Sequence, residues 1–246
     1  MQILKVLDIE IDFERENILN KISNLIQNKS KGYVNTINAN LLVTAYKKQD
    51  YKEILQKSSF NICDGSVLAS VLNKINKTNY NSYPGPDFFI DRISEKKYKH
   101  TFLGSTKEVL RNLKKELIKI DSSLEKAIFI ELPFLSVNEF DYSAIGNTIN
   151  DTSPDFIWVS LGAPKQEKFS SLLVKHINHG LIVSVGAAFD FYSNLSKVKR
   201  APIYIQTLRL EWLYRLYKQP KKTFKRLKNE FFYMPIILIK ELTRAK

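Results

Sequence analysis

The chain has 246 residues and a formal charge of +13, with 44% hydrophobic, 12% aromatic and 26% charged residues. That composition excludes a disordered or fibrous chain, and no stretch approaches the roughly 20 consecutive apolar residues of a membrane-spanning helix. One cysteine, Cys63, excludes an internal disulfide, and with only His100, His176 and His179 beside it no Cys/His zinc site is expected.

The charge is unevenly spread. From Lys197 to Lys246 there are fourteen Lys/Arg against Glu211, Glu230 and Glu241, a net of +11, which leaves +2 for the first 196 residues. A nearly neutral body therefore ends in a basic tail that seeks polyanions: nucleic acid, an anionic membrane surface or phosphate-bearing substrates. The N-terminus alternates apolar and acidic residues, unlike a signal peptide, so a cytoplasmic protein is expected.

Residues 16–28 space apolar groups as an amphipathic helix does. Tyr33 to Ile37 reads as a strand and Ala39 to Tyr46 as a helix. Phe60 to Cys63 is an apolar run that stops at Asp64-Gly65, with a helical pattern from Ser66. His100 to Leu103 is a strand ending at Gly104-Ser105, followed by a helix through Ile120, and Ala127 to Leu132 is another strand. Asp155 to Leu161 is a strand ending at Gly162, with a helix from about Lys165 to His179. Leu181 to Val185 closes the series and ends in Gly186-Ala-Ala. Strands alternating with helices predict an α/β fold, a Rossmann-like and mostly parallel sheet flanked by helices. Its ligands sit beyond the carboxyl ends of the strands.

The strand ends carry the candidate chemistry. Asp64 is either a general base or the cap of the following helix; Thr36 and Asn38 are polar residues at another strand end and could also be caps. The segment from Gly162 through Lys165, Gln166 and Glu167 is either an ordinary strand-to-helix turn or a diphosphate site at a helix N-terminus. Neither a dinucleotide fingerprint nor a P-loop occurs. In the tail, Leu210, Leu213, Tyr214 and Tyr217 fall at helical spacing, and basic residues then interleave with Phe224, Leu227, Phe231 and Phe232. This pattern suits a helix lying in a bilayer interface or a single-stranded nucleic-acid binder. The apolar run Ile236 to Ile239 favours lipid.

Taken in order, Thr36-Ile-Asn38-Ala, Asp64-Gly65, Gly85-Pro-Asp87, Leu103-Gly104, Pro154-Asp155, Gly162-Ala-Pro-Lys-Gln-Glu167, Gly186-Ala-Ala-Phe-Asp190, Arg200-Ala-Pro202 and Glu211-Trp-Leu-Tyr-Arg215 resemble the WecG/TagA/CpsF family of bacterial glycosyltransferases. The resemblance spans about residues 33–226. It implies an inverting enzyme that moves an N-acetylmannosamine-type or other hexose from a UDP-sugar to an undecaprenyl-diphosphate-linked sugar. Such enzymes serve teichoic acid, capsule and other surface polysaccharides at the inner face of the plasma membrane.

By position, the resemblance makes Asp64 the base that deprotonates the acceptor hydroxyl. Thr36 and Asn38 line the same pocket, and Gln166 orients the donor sugar. Gly104, Gly162, Lys165, Glu167, Gly186 and Asp190 form the nucleotide-sugar site. Arg200, Arg215, Lys222, Lys225 and Arg226 meet the diphosphate and the acceptor. Lys222 and Lys225 stand where arginine is usual in the family, and Ser82 stands where many relatives have arginine. No DxD motif ends a strand, so neither metal nor cofactor is expected, and cations would stabilise the leaving group.

The expected organisation is an α/β catalytic domain over 1–196 and a basic amphipathic appendage over 197–246 that contacts the membrane and closes the active site. The expected partners are the UDP-sugar donor, the lipid-linked acceptor, an anionic membrane surface and, optionally, further copies of the chain, with no nucleic acid. Two rival readings from other classes are a basic nucleic-acid-binding protein and an inactive scaffold of a polysaccharide assembly complex.

Overall fold

The computed structural model describes residues 3–195, 200–207 and 210–244. In chain order it runs β1 (Ile3–Val6), β2 (Ile9–Asp12), α1 (Arg15–Gln27), β3 (Lys31–Ile37), α2 (Ala39–Lys47), α3 (Gln49–Gln56), β4 (Phe60–Cys63), α4 (Ser66–Asn76) and α5 (Gly85–Ser94). There follow β5 (His100–Gly104), α6 (Lys107–Ile118), β6 (Ile128–Ile130), α7 (Tyr142–Thr152), β7 (Phe156–Ser160), α8 (Lys165–Leu173), β8 (Gly180–Ser184) and α9 (Ala188–Tyr192). The chain closes with α10 (Ile203–Thr207), α11 (Glu211–Lys218) and α12 (Pro220–Arg244).

The described strands form one sheet in the order β1-β2-β4-β3-β8-β7-β5-β6. Every pairing is parallel except the β1/β2 hairpin, which adds an edge beside β4 through Asp12 and Ile62. The central strands β4, β5, β7 and β8 are buried at every residue, so they read as continuous apolar runs rather than as alternation. Because β4, β3, β8, β7 and β5 are parallel neighbours, their carboxyl ends share one edge. At its centre the chain leaves β3 for β4, whereas from β8 it continues into α9, which packs on α5 and α6 in the other half. A crevice opens where the connections diverge in this way.

Helices cover both faces. On one, α1, α5, α6 and α9 bury Ile18, Phe88, Phe89, Leu113 and Phe189 against Phe102, Phe156 and Trp158. On the other, Ile149, Phe169 and Leu173 of α7 and α8 pack on Ile157, Val159 and Ile182. A third cluster joins the hairpin, α2 and α4, and it includes Met234 and Ile237 of α12. The basic tail therefore contributes side chains to the body's core. Pro220 opens α12 at a position where proline costs no hydrogen bond, and the helix continues through Pro235.

Two elements differ from the sequence pattern. The hairpin turns at Leu7 and Asp8, both with positive φ (51° and 60°), as a two-residue turn with the strands' own twist requires. Neither is the glycine or asparagine that signals such a turn. The helix expected to reach His179 stops at Leu173, where the chain tightens (His176 N to Leu173 O, 2.9 Å) to return to the start of β8.

Phe89 anchors α5 edge-on to Trp158 (centroids 4.9 Å) and Phe102 (6.2 Å) and is fully buried. Phe89→Ala is expected to cost about 3–5 kcal/mol of stability, measured by denaturant unfolding.

Candidate active site

Asp64 is the first residue beyond β4, and its N–H donates to Ile37 O at the end of β3 (2.7 Å). It does not cap α4, which starts from Gly65 without a side-chain cap. Its carboxylate instead accepts from the backbone N–H of Gly85 at the start of α5 (3.4 Å) and from the side chain of Asn38. Asn38 does cap its own helix, its Oδ1 accepting from Leu41 N (3.2 Å). Thr36 is no cap: its hydroxyl donates to Ser184 O on β8 (3.0 Å). It packs beneath Gly85, where a Cβ would lie 3.0 Å from Thr36 Oγ1. Thr36, Asn38, Asp64 and Gly85 thus form one cluster, and a side chain at position 85 would crowd it.

The tail roofs this cluster. Asp64 and Asn38 share a cavity of about 60 Å³ with Glu211, Trp212, Arg215, Arg226 and Glu230. That space holds a few water molecules. Desolvation pushes the Asp64 carboxyl above its ordinary value, against the opposing pull of Arg215, the Gly85 N–H, Asn38 and Arg226. Both arginines also have partners on their own helices. Arg215 lies 3.8 Å from Glu211 and faces the Phe191 ring of α9 (5.9 Å), while Arg226 Nε lies 3.1 Å from Glu230.

Arg200 stands outside that cavity. It makes a two-pronged ion pair with Asp87 in the first turn of α5, with Nη2 at 2.7 Å from Oδ2, and so ties the start of the tail to the helix whose N–H faces Asp64. Lys222 and Lys225 lie on α12, and their side chains fall outside the described part of the structure.

Across the crevice, Gln166 spends its whole amide inside the protein. Its Oε1 accepts from Gly162 N (3.2 Å) and Gly186 N (3.1 Å), and its Nε2 donates to Glu167 (2.8 Å). Gln166 therefore staples the loop after β7 to the loop after β8. Ser160 extends the brace, donating to Gly186 O (2.6 Å) while its own carbonyl accepts from Ser105 N (3.2 Å). Gly104 backs closely onto this strand, since a Cβ there would sit 2.4 Å from Ser160 O. Gly162 and Gly186 are the open positions: both have positive φ (75° and 58°) and nothing within 4 Å of an added Cβ. Lys165 starts α8 with its ammonium over the Phe140 ring (5.0 Å), and Asp190 lies in the first turn of α9.

Glu167 is fully buried, and desolvation raises its pKa to about 7 despite the bond from Gln166 and the influence of the Tyr51 hydroxyl. Its position is beneath the loops, not on their exposed side. Ser82 lines a separate cavity of about 500 Å³ together with Arg15, whose guanidinium covers the Tyr83 ring (4.2 Å). A cation thus stands beside Ser82, supplied by α1. Among the described residues no group of three or more His, Cys, Asp or Glu side chains is placed to hold a metal ion.

A family model described as the glycosyl transferase WecG/TagA/CpsF family matches residues 4–246. The chain belongs to this glycosyltransferase family. It is similar to N-acetylglucosaminyldiphosphoundecaprenol N-acetyl-beta-D-mannosaminyltransferases from three bacteria. Identity is 29% to that of Bacillus subtilis (strain 168), covering 79% of this chain and 75% of the relative. It is 25% to that of Bacillus spizizenii (strain ATCC 23059 / NRRL B-14472 / W23), covering 96% and 90%, and 23% to that of Staphylococcus aureus (strain MW2), covering 98% and 93%. Family membership makes the chain an enzyme, and the strand-end cluster beneath the tail is its candidate active site. The Gly85 amide, Trp212, Glu211 and Glu230 join that site although sequence reasoning assigned them no role. Gly85-Pro-Asp87 and Glu211-Trp-Leu-Tyr-Arg215 were visible as motifs, but not which of their atoms face Asp64.

The raised Glu167 pKa carries a testable sign. The folded state holds its proton more tightly than the unfolded chain, so the contribution to stability is intact below about 4.5 and is lost as pH rises through about 7. Glu167→Gln keeps the shape and the bond from Gln166 without the charge. Its melting temperature relative to wild type is expected to match near pH 4 and to exceed it at pH 8, a gain of roughly 3 kcal/mol.

Proposed function

We propose that this enzyme transfers a sugar, N-acetylmannosamine or a related hexose, from a UDP-sugar to an undecaprenyl-diphosphate-linked sugar, with inversion and without a metal. The observation that carries this reading is the pairing of one desolvated carboxylate, Asp64, with two arginines in one cavity. A single displacement needs a base on the nucleophile and positive charge for phosphates. Asp64 takes the proton from the acceptor hydroxyl as its oxygen attacks the anomeric carbon. The carbon–oxygen bond to UDP breaks, and the electron pair leaves on the β-phosphate. Burial that holds the carboxyl above its ordinary value makes it a stronger base when ionised.

The remaining roles follow the chemistry of each position. The open backbone at Gly162 and Gly186 is the floor for the nucleotide-sugar, with Lys165 and Asp190 at its rim. Gln166 acts on the donor indirectly, by holding the two loops in register, and Glu167 holds Gln166. Arg215 and Arg226, with Lys222 and Lys225 on the same helix as Arg226, meet the diphosphate. Arg200 acts through Asp87, fixing α5 and so the Gly85 N–H. The names of the relatives support the acceptor: each is named for transfer to N-acetylglucosaminyldiphosphoundecaprenol.

The surface of α12 supports a peripheral membrane position. Its inner face (Leu227, Glu230, Met234, Ile237) is buried, while Phe224, Phe231, Phe232 and Ile239 are exposed beside the exposed Lys221 and Lys228. No helix among the described residues is long and apolar enough to cross a membrane. A cationic helix with exposed aromatics lies in the interface, and nucleic acid has no use for its isoleucines.

Asp64→Asn is expected to fold and to lose at least about 100-fold in transfer from a UDP-sugar to a sugar-diphosphate-prenyl acceptor, followed by mass spectrometry. Near wild-type turnover would remove Asp64 as the base. In the wild type, the acid limb of kcat/KM is expected above the usual aspartate range. Arg215→Ala removes the strongest influence holding the Asp64 pKa down, so it should shift that limb to higher pH as well as lower turnover. Replacing Lys221 and Lys228 together by Glu should strongly weaken flotation with anionic liposomes, since each lost cation removes about 1 kcal/mol, while turnover on a water-soluble acceptor persists.

A further inference from the structure

Beside the Asp64 cavity lies a second, larger space of about 380 Å³ between α4, α11 and α12. Val67, Trp212 and Glu230 line both, so the two adjoin along a shared wall. Chemical character reverses at that seam. On one side stand Asp64, Arg215 and Arg226; on the other Val71, Leu227, Met234, Pro235 and Leu238. Among the described residues Glu230 is the single charged group of the larger groove, and it sits at the seam held by Arg226. The groove's far wall includes Phe231, which is 75% exposed and belongs to the apolar surface of α12.

We infer that this groove binds the first isoprene units of a polyprenyl-diphosphate acceptor, with the diphosphate at Arg215 and Arg226 and the sugar turned toward Asp64. The inference rests on the proposed acceptor class and adds where its hydrocarbon lies. The order of environments selects the occupant: a carboxylate base, then two cations, then an apolar channel leading to an exposed aromatic face. A glycosyl-diphosphate-prenyl molecule has that same order of sugar, charge and hydrocarbon. A partner helix would need an apolar strip without a buried charged end, and a sugar nucleotide has no hydrocarbon to fill one. The volume falls within the roughly 300–1,000 Å³ of small-molecule sites, enough for a chain's beginning while the rest continues into a bilayer.

Trp212 provides the readout. The chain has two tryptophans, and Trp158 is fully buried in the core, so a ligand in the groove changes the emission of Trp212. Full-length protein is titrated, in detergent-free solution below micelle formation, with isopentenyl, geranyl and farnesyl diphosphate. The expected result is a blue shift absent from Trp212→Phe, with Kd falling at least about tenfold for each added isoprene unit. Val71→Glu places a charge on the groove wall at a half-buried position. It should weaken farnesyl diphosphate at least about tenfold and flatten the dependence on chain length, with isopentenyl diphosphate little affected. Leu238→Lys, on the opposite wall, gives the same test if the first variant fails to fold.

Equal affinity for the three diphosphates, or equal losses for all of them in both variants, would overturn the inference. So would a Trp212 shift produced only by anionic vesicles, which makes the groove a membrane-insertion surface. A shift produced by raising protein concentration alone would assign it instead to a second copy. The titration needs no sugar donor. Chain-length selection without transfer from any UDP-sugar would therefore sink the functional reading and spare the groove, whereas transfer indifferent to chain length would do the reverse.

Discussion

A carboxylate taken out of water is costly unless something compensates it, and Asp64 is in that position because of two unrelated parts of the chain. The sheet delivers it: Asp64 is the first residue beyond β4, and its N–H is bonded to the end of β3 at the carboxyl edge. The tail then covers it, and the same segment that removes water brings Arg215 and Arg226 to offset the loss. Desolvation and compensation thus arrive together. Without α11 and α12 the carboxyl would face solvent and lose the environment that sets its basicity.

The other half of the crevice obeys a different constraint. There the backbone, not a charge, has to be exposed, and exposed loops at a sheet edge are free to wander. One buried amide, that of Gln166, bonds both loops and leans on Glu167, which contacts Tyr51 from α3. Ser160 carries the brace to the end of β5. The open glycines at 162 and 186 are consequently tied together through their N–H groups without any side chain of their own. A floor of this kind can lie close under a ligand and still keep its shape.

How much of this could be read from residues alone varies with the range of the interaction. The runs Phe60 to Cys63, Asp155 to Leu161 and Leu181 to Val185 announce buried strands because both sheet faces are covered, and the polar residues that stop them are the site. The hairpin turn is silent, since Leu7 and Asp8 adopt a backbone that tertiary packing imposes: Leu7 is buried and Asp8 is bonded by Lys52. Asp87 gives no local hint of Arg200, 113 residues away, and Arg15 none of its place beside Ser82. The groove is equally invisible, because Val71 and Leu238 face each other only once α12 docks on α4. Periodicity describes one helix at a time, whereas each of these features is made by two.

The glutamates beside the two arginines set what an anion must offer. Arg215 lies near Glu211 and Arg226 near Glu230, so the tail enters the cavity with its positive charge already matched. An incoming phosphate shares each arginine with a carboxylate, and part of the attraction cancels. Inorganic phosphate, abundant in any cell, brings nothing further to tip that balance. A cavity built in this way is guarded against clogging by the commonest anions around it.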